Sequence, residues 1–332
     1  MEQASLTQAK VFVRDLFDGQ AVDSLFCVRE RTRRQKKNGE PFLKLRLGDA
    51  TGACEAVVWD AVEEAFPLCS TGAVVRVAGT YTVDSRYGAS ITVRSLRCAE
   101  AHEYDPADLH EGPLLAPGQM VEDLRSLLET VRHPHLRELL ERFFAEGSET
   151  WRRWREAPAA KRYHQAYRHG LLEHCLTVAQ AVSAISSTFP GIDRDVAVTG
   201  ALLHDLGKIE AYAAEEGGIE LTDEGKLQGE IPLGYYMVRR EIERIAGFPP
   251  ETAQAVLHII LSHHGQLEHG SPVVPCTREA TLVHMIDNLG GKLGSFDRLE
   301  KSLGDGERWS AFDAGISGSA YFAAPEPERR AA

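Results

Sequence analysis

Four apolar stretches of this sequence carry side chains that bind divalent metal ions, and this pattern most restricts how the chain can fold. The stretches are LLEHCLTVAQAV from Leu171, VTGALLHDLGK from Val198, LHIILSHHG from Leu257 and EATLVHMIDNLG from Glu279. Each has apolar residues at helical spacing. Buried imidazoles and carboxylates are costly alone, whereas a cation bound between them removes that cost. The pattern therefore predicts a bundle whose helices meet around metal.

The His204-Asp205 pair is the most specific of these motifs. Neighbouring helical residues point about 100° apart, so both reach one ion only where the helix ends, as Gly207 allows. The two carboxylate oxygens of Asp205 can also contact two ions, which an imidazole cannot do. Lys208 follows the pair and is placed to hold a phosphate oxygen as a point charge.

Residues 21–98 have the short alternating segments that are typical of strands. The clearest is FLKLRL, in which Leu43, Leu45 and Leu47 share one face of the segment. Five such segments are predicted, with one or two helical turns after the third. This arrangement matches a five-stranded OB-fold barrel, and an SH3-like barrel is the alternative.

Composition divides the chain into four parts. We predict an OB-fold nucleic-acid-binding domain at 1–98, a linker at 99–118, a helical domain at 119–303 and a C-terminal tail at 304–332. Within the helical part, one predicted helix ends at Ala145. Further predicted helices span Leu171–Ser186, Arg194–Asp205, Gly229–Ile245, Glu251–Leu261 and Thr277–Leu289. The fold class is therefore multidomain β + α, with an N-terminal five-stranded OB-fold barrel followed by an all-α bundle.

Cationic residues collect in the predicted barrel, although the net charge of the chain is −12. The candidate nucleic-acid-binding residues are Arg33, Arg34, Lys36, Lys37, Phe42, Lys44 and Arg46. OB-folds use such a face to stack bases and to follow phosphates. The alternative is a solvated hairpin tip around Asn38-Gly39. The neighbouring Trp59 is either a stacking platform for bases or a strand-end core residue, and we favour the interpretation as a core residue.

The remaining composition indicates a cytoplasmic protein without membrane association. The six cysteines include no CxxC pair, as expected of free thiols in a reducing compartment. The first residues, MEQASLTQAK, lack the features of a signal peptide, and no apolar run approaches the ~18 residues of a spanning helix.

Together the motifs resemble those of HD-domain metal-dependent phosphohydrolases, and more closely those of the YhaM-type 3′-5′ exoribonucleases. The segments that carry this resemblance are LLEHCLTV, GALLHDLGKIE, LTDEGKLQGEIPLG, ILSHHG, GSPVVP and EATLVHMIDNL, in that order. Those proteins also have an OB-fold before the HD domain, so the resemblance covers most of residues 20–300. It implies a phosphodiesterase that degrades single-stranded RNA from the 3′ end, with single-stranded DNA as a further candidate substrate and the barrel delivering the strand.

The resemblance also implies the ligands of two divalent ions. For the first ion they are His174, His204, Asp205 and Asp287. For the second they are Asp205, Glu230, His263 and His264. The family has histidine where this chain has Glu230, a harder ligand that favours Mn²⁺ or Mg²⁺ over Co²⁺ or Fe²⁺. If Glu230 faces solvent instead, the site holds one ion.

Two such ions, about 3.5–4 Å apart, would clamp a phosphodiester and lower the pKa of a shared water. Asp205 and Lys208 are the candidate catalytic residues. One alternative function is an HD phosphohydrolase of small nucleotides. Another is an OB-fold nucleic-acid-binding protein with an inactive HD domain, for which salt-sensitive binding without turnover would be evidence. Association into homo-oligomers is also left open.

Overall fold

The computed structural model describes residues 10–36, 38–84, 88–105, 108–109, 112–113, 115–161, 165–215, 218–301, 303 and 306–323. Contacts divide the chain into two compact units. The first comprises Met1–Gly112 and Glu215–Gly218, and the second comprises Pro113–Ala214 and Ile219–Ala332. The domain limits predicted above stay a prediction. Within the described residues, no helix is both long enough and apolar enough to cross a membrane.

The first unit is a closed five-stranded barrel. Its elements are β1 (Ala21–Gln35), β2 (Pro41–Asp49), β3 (Gly52–Val58), α1 (Val62–Leu68), β4 (Val74–Asp84) and β5 (Gly88–Cys98). The strand order is β1-β2-β3-β5-β4, closed by pairing of β4 with β1, and only the β3–β5 pair is parallel. A helix between the third and fourth strands of such a barrel is the OB-fold arrangement. The predicted fold class is therefore confirmed.

Strict alternation in β2 determines which residues face out of the barrel. Leu43, Leu45 and Leu47 are at most 1% exposed and pack in the barrel core. Because side chains alternate across a strand, Phe42 and Arg46 lie on the outer face.

The second unit is helical apart from most of one short hairpin. Its helices are α2 (Pro117–Glu129), α3 (Pro134–Phe144), α4 (Glu149–Glu156), α5 (Gly170–Ser186), α6 (Arg194–Leu203), α7 (Lys208–Ala211), α8 (Asp223–Gln228), α9 (Glu230–Arg244), α10 (Pro250–Ser262) and α11 (Arg278–Lys301). The hairpin strands are β6 (Tyr212–Glu215) and β7 (Gly218–Leu221). Helix α6 is apolar on nearly every side, and all its residues from Val196 to Leu203 are buried. It packs against α5, α10 and α11 and so forms the centre of the unit.

Three features differ from the sequence prediction. Helix α6 ends at Leu203, before the His204-Asp205 pair, and the β6–β7 hairpin was not predicted. Helix α11 continues to Lys301 instead of ending at Leu289. Glycines inside a helix cost about 1 kcal/mol each. Tertiary contacts offset this cost, because Leu299 is buried and Arg298 Nη2 lies 2.6 Å from Asp313 Oδ2.

Residues that follow α11 fold back onto it. Isolated bridges join Trp309 to Tyr321 and Asp313 to Gly318. The Phe322 ring contacts the Phe296 ring of α11, with centroids 6.3 Å apart. The described part of the predicted tail is thus an ordered turn structure against the last helix of the bundle.

Candidate metal centre

The ends of four helices and the interior of a fifth bring the predicted ligands together. His174 lies in the first turn and a half of α5, and Glu230 begins α9. The His204-Asp205 pair directly follows α6, the His263-His264 pair directly follows α10, and Asp287 lies within α11. Every predicted ligand therefore belongs to the same unit and faces one region of it.

Gly207 allows the turn after Asp205 to pack against the start of α9. A Cβ atom on Gly207 would lie 2.0 Å from the Glu230 carbonyl oxygen and 2.5 Å from the Gly234 amide nitrogen. Such distances are far inside van der Waals contact, so only glycine fits there. This close approach places Glu230 beside the turn that carries Asp205.

The first group of ligands surrounds His174. Its Nε2 atom is 3.2 Å from His204 Nε2, 3.2 Å from Asp205 Oδ2 and 3.2 Å from Asp287 Oδ1. His204 Nε2 is 3.3 Å from Asp205 Oδ2 and 3.9 Å from Asp287 Oδ1. Ligand atoms that bind one ion at about 2.0–2.2 Å lie roughly 3–3.6 Å from each other. The four side chains therefore have the mutual spacing of a coordination shell.

The second group extends from the other oxygen of Asp205. Asp205 Oδ1 is 3.4 Å from His263 Nε2, and His264 Nε2 is 3.4 Å from Glu230 Oε1. Glu230, His263 and His264 together form a group whose ligand atoms lie within 4.8 Å of one another. Asp205 thus presents one oxygen to each group, and Glu230 points into the site.

Hydrogen bonds at the opposite ring nitrogen orient the four histidines. Each Nδ1 atom lies 2.7–3.1 Å from a carbonyl oxygen, which can only accept a hydrogen bond. The acceptors are Gln165 Oε1 for His174, Ala201 O for His204, Ile260 O for His263 and His269 O for His264. The neutral rings therefore carry the proton on Nδ1 and present the Nε2 lone pair to the centre, as metal-binding histidines do.

Two buried polar atoms within the described part of the chain test whether metal fits. Asp205 Oδ1 and His263 Nε2 are both buried and have no hydrogen-bond partner there. Leaving a buried polar group unpaired costs roughly 2–7 kcal/mol of folding free energy. A divalent cation satisfies both atoms, so the donor set fits a divalent metal.

The acid–base properties of the ligands follow from the same contacts. Burial lowers the pKa of His174, but Asp205 and Asp287 outweigh it and raise this pKa to about 9. Burial raises the pKa of Asp205, yet Lys208 and the neighbouring imidazoles hold it well below its usual value. The pKa of Glu230 is lowered as well, since Lys208 and His264 overcome the effect of burial. The carboxylates are therefore ionised, as ligands must be.

Lys208 lies against the centre instead of projecting freely into solvent. Its Nζ atom is 2.7 Å from Asp205 Oδ2, and burial, which lowers the pKa of Lys208, is outweighed by this carboxylate, which raises it. The predicted contact of Lys208 with a phosphate oxygen stays a prediction.

A cleft of about 310 Å³ opens over the ligands. Its lining residues are Ala159, Ala160, His174, Asp205, Lys208, His264, Asp287, Asn288, Gly291, Lys292, Ser295 and Gly315. Sequence reasoning missed Asn288, Lys292 and Ser295, although their spacing from Asp287 along one helix was a usable signal. It also missed Gly315, for which the sequence offers no local signal. It noted Gln165 only as a position where the family has histidine, and did not identify its contact with His174.

On the barrel, the structure shows an aromatic pair formed by the half-buried Phe42 and the exposed Trp59. The Phe42 and Trp59 rings stack with centroids 5.0 Å apart, and Lys36 Nζ lies 5.7 Å from the Trp59 centroid. Trp59 is 41% exposed, so its interpretation as a core residue was wrong. It follows the inward-facing Val58 at the end of β3, and alternation turns its side chain outward.

The other predicted barrel residues lie near this pair with different partners. Arg34 and Arg46 are exposed. Arg33 pairs with Glu63 of α1, and Lys44 Nζ lies 3.2 Å from Glu55 Oε2. Lys37 is outside the described residues.

Comparison with known proteins agrees with this architecture. The HD domain family model matches residues 171–291. The 3′-5′ exoribonuclease YhaM of Shouchella clausii (strain KSM-K16) is 31% identical over 295 residues, which cover 87% of this chain and 89% of that protein. YhaM of Bacillus subtilis (strain 168) is 29% identical over 290 residues, or 87% and 90% of the two chains. The second OB-fold domain of replication protein A from Methanococcus maripaludis covers 27% of this chain and 95% of that domain at 19% identity, with a TM-score of 0.23 that is too low to support an inference.

The barrel, the HD segment and the His/Asp centre define an HD-domain protein that depends on divalent metal. Similarity over nearly the full length of both chains narrows this class further. The chain belongs to the YhaM family.

Proposed function

We propose that this chain is a divalent-metal-dependent 3′-5′ exoribonuclease that hydrolyses phosphodiester bonds of single-stranded RNA. The observation that carries the proposal is the position of Asp205. Its Oδ2 atom lies 3.2 Å from His174 Nε2, and its Oδ1 atom lies 3.4 Å from His263 Nε2. A carboxylate in this position can bridge two ions, as a two-metal phosphodiesterase requires. The relatives named 3′-5′ exoribonuclease support the substrate and the direction.

Two groups of side chains would hold the ions. For the first ion they are His174, His204, Asp205 and Asp287, and for the second they are Asp205, Glu230, His263 and His264. Bound divalent ions supply a water of lowered pKa and positive charge that offsets the charge developing on the phosphodiester. Three carboxylates among the donors favour Mn²⁺, with Mg²⁺, Co²⁺ and Fe²⁺ as the alternatives.

The residues of the chain prepare the site before substrate binds. The Nδ1 hydrogen bonds hold the four imidazoles with Nε2 towards the centre. Lys208 offsets part of the negative charge of the carboxylates through its contact with Asp205. Because its side chain also lines the cleft, we assign it the further role of stabilising charge on the reacting phosphate.

The barrel would bind the strand whose 3′ end is degraded. Stacking on aromatic rings contributes about 1–3 kcal/mol per base and tolerates any sequence, and neighbouring cations hold the phosphates. The Phe42–Trp59 pair with Lys36 has this composition, and Trp59 is exposed. Lys36 also pairs with Glu40, with Nζ 3.3 Å from Oε2, and a phosphate would replace this contact.

Two finer expectations follow from this form of binding. Stacking does not read the 2′-hydroxyl, so single-stranded DNA would bind as well. A cytoplasmic location fits both an RNA substrate and six free cysteines.

The direct test is shortening of a 5′-labelled single-stranded RNA by metal-stripped protein that is resupplied with Mn²⁺. We expect a ladder that descends from the 3′ end, and its loss in Asp205→Asn. The matched control is Asp223→Asn, an exposed carboxylate of α8 that pairs with Lys226. RNA that stays intact with Mn²⁺, Mg²⁺, Co²⁺ and Fe²⁺ would overturn the proposal, and internal fragments would overturn the direction.

A further inference from the structure

One wall of the cleft continues beyond the metal ligands along α11. Asn288, Lys292 and Ser295 line it, one, five and eight residues after Asp287. Five residues of helix rise about 7.5 Å, which is comparable to one nucleotide step along an extended strand. The same helix therefore supplies a candidate metal ligand, the Asn288 amide beside it and, one step away, the Lys292 ammonium. Ser295 lies one turn further, with its hydroxyl donated to the Gly291 carbonyl oxygen at 3.2 Å.

The two lysines of the cleft have different surroundings. Lys208 is buried against Asp205, with its Nζ atom 2.7 Å from a carboxylate oxygen. Lys292 is exposed, and among the described residues it has neither a hydrogen bond nor an ion pair. Its full charge is therefore directed at whatever enters the cleft.

The C-terminal segment fixes the edge of the cleft beside these residues. Asp313 accepts a hydrogen bond from the Gly315 amide at 3.0 Å and pairs with Arg298 of α11 at 2.6 Å. A Cβ atom on Gly315 would lie 2.9 Å from Ser295 Oγ. Gly315 thus packs closely on Ser295, and both residues line the cleft together with Lys292.

We propose that Lys292, with Asn288, forms a subsite for the phosphate on the 5′ side of the scissile bond. This subsite rests on the proposed exoribonuclease function. A 3′-terminal nucleotide ends in a hydroxyl group, so the only phosphate adjacent to the scissile one lies on its 5′ side. A lysine ammonium binds phosphate as a point charge without demanding one geometry, which suits a strand that advances after each cleavage.

The subsite is tested by removing the positive charge from the protein and, separately, the negative charge from the substrate. Two RNAs are compared that differ at the second internucleotide linkage from the 3′ end. One has an ordinary phosphodiester at this linkage, and the other has an uncharged methylphosphonate. The nucleotide before that linkage carries a 2′-O-methyl group in both, because a free 2′-hydroxyl would attack the methylphosphonate. Release of the first nucleotide is followed for the wild type and for Lys292→Ala.

On the ordinary RNA we expect Lys292→Ala to raise KM about tenfold and to leave kcat unchanged. On the methylphosphonate RNA the two proteins should have KM values within twofold, because the partner charge is gone. Lys292→Arg should recover most of the affinity for ordinary RNA. Lys226→Ala, an exposed lysine of α8, is the matched control and should behave as the wild type.

The same penalty on both RNAs, or no penalty on either, would overturn the subsite while leaving the exonuclease intact. If the wild type does not shorten RNA at all, the proposed function fails. The affinity for single-stranded RNA, measured in EDTA at several salt concentrations, still tests the role of Lys292. Each phosphate contact to a single strand adds about 0.7 to the slope of log affinity against log salt concentration. The slope should fall by about that amount in Lys292→Ala, and an unchanged slope would overturn the subsite.

Discussion

His174 Nδ1 donates a hydrogen bond to Gln165 Oε1 over 3.1 Å, and this contact orients the central ligand of the site. The amide of Gln165 is held at its other end, since Nε2 donates to Glu173 Oε2 at 3.2 Å. Tyr167 donates its hydroxyl to the same carboxylate oxygen. Gln165 has a φ of 60°, in the left-handed region that non-glycine residues seldom adopt. The surrounding contacts therefore impose its position.

Gln165→Ala should weaken Mn²⁺ binding roughly 10- to 100-fold, as expected for loss of a group that orients a ligand histidine. Isothermal titration of metal-stripped protein measures this directly. Gln180→Ala, at an exposed position on α5 itself, is the control and should bind Mn²⁺ as the wild type does. An affinity for Mn²⁺ within twofold of the wild type in Gln165→Ala would show that the contact does not orient His174.

Glu230→His should change which metal supports activity. Glu230 Oε1 lies 3.4 Å from His264 Nε2 within the second group of ligands. Replacing its carboxylate with an imidazole makes the group softer, so activity with Co²⁺ should rise relative to activity with Mn²⁺. The ratio of initial rates on single-stranded RNA with the two metals is the measurement. An unchanged ratio would indicate that Glu230 is not a ligand.

Phe42→Ala and Trp59→Ala should each lower the affinity for single-stranded RNA about 5- to 100-fold, the range that corresponds to loss of one stacked base. Fluorescence anisotropy of a labelled oligonucleotide in EDTA measures binding without turnover. Phe17→Ala, which removes an exposed aromatic ring elsewhere in the barrel unit, is the control. Equal affinities for all three variants would argue against binding at the Phe42–Trp59 pair.

Alkylation should distinguish two classes of cysteine in the native protein. Burial raises the pKa of Cys54 to about 12 and that of Cys69 to about 11, so both thiols stay neutral at pH 8. Cys98 and Cys276 are exposed. Mass spectrometry after treatment with iodoacetamide should therefore show two adducts, and six after unfolding in guanidinium. More than two adducts on the native protein would contradict the burial of the others.

The sequence was sufficient for the parts of the site that depend on local pattern. Six of the seven proposed ligands lie in apolar segments of helical period, and Gly207 marks the helix end that lets His204 and Asp205 face one centre. Glu230 was assigned from the family resemblance alone. Gly315 was not predictable, because a segment distant from the ligands along the chain places it. The contact of Gln165 with His174 was not predictable either, because it depends on a left-handed backbone conformation at Gln165. Trp59 was misassigned although alternation after the inward-facing Val58 already places its side chain on the outer face. The end of α11 was misplaced because contacts of Arg298 and Leu299 outweigh the glycines before them.

The central claim is that Asp205 joins two metal ions into one centre that degrades RNA. The most direct measurement is a titration of metal-stripped protein with Mn²⁺, in which bound ions and RNA shortening are recorded on the same samples. We predict two ions per chain, activity that rises with the second ion, and loss of both the second ion and the activity in Asp205→Asn. Full activity with one ion, or an Asp205→Asn variant that keeps two ions and degrades RNA, would contradict this account.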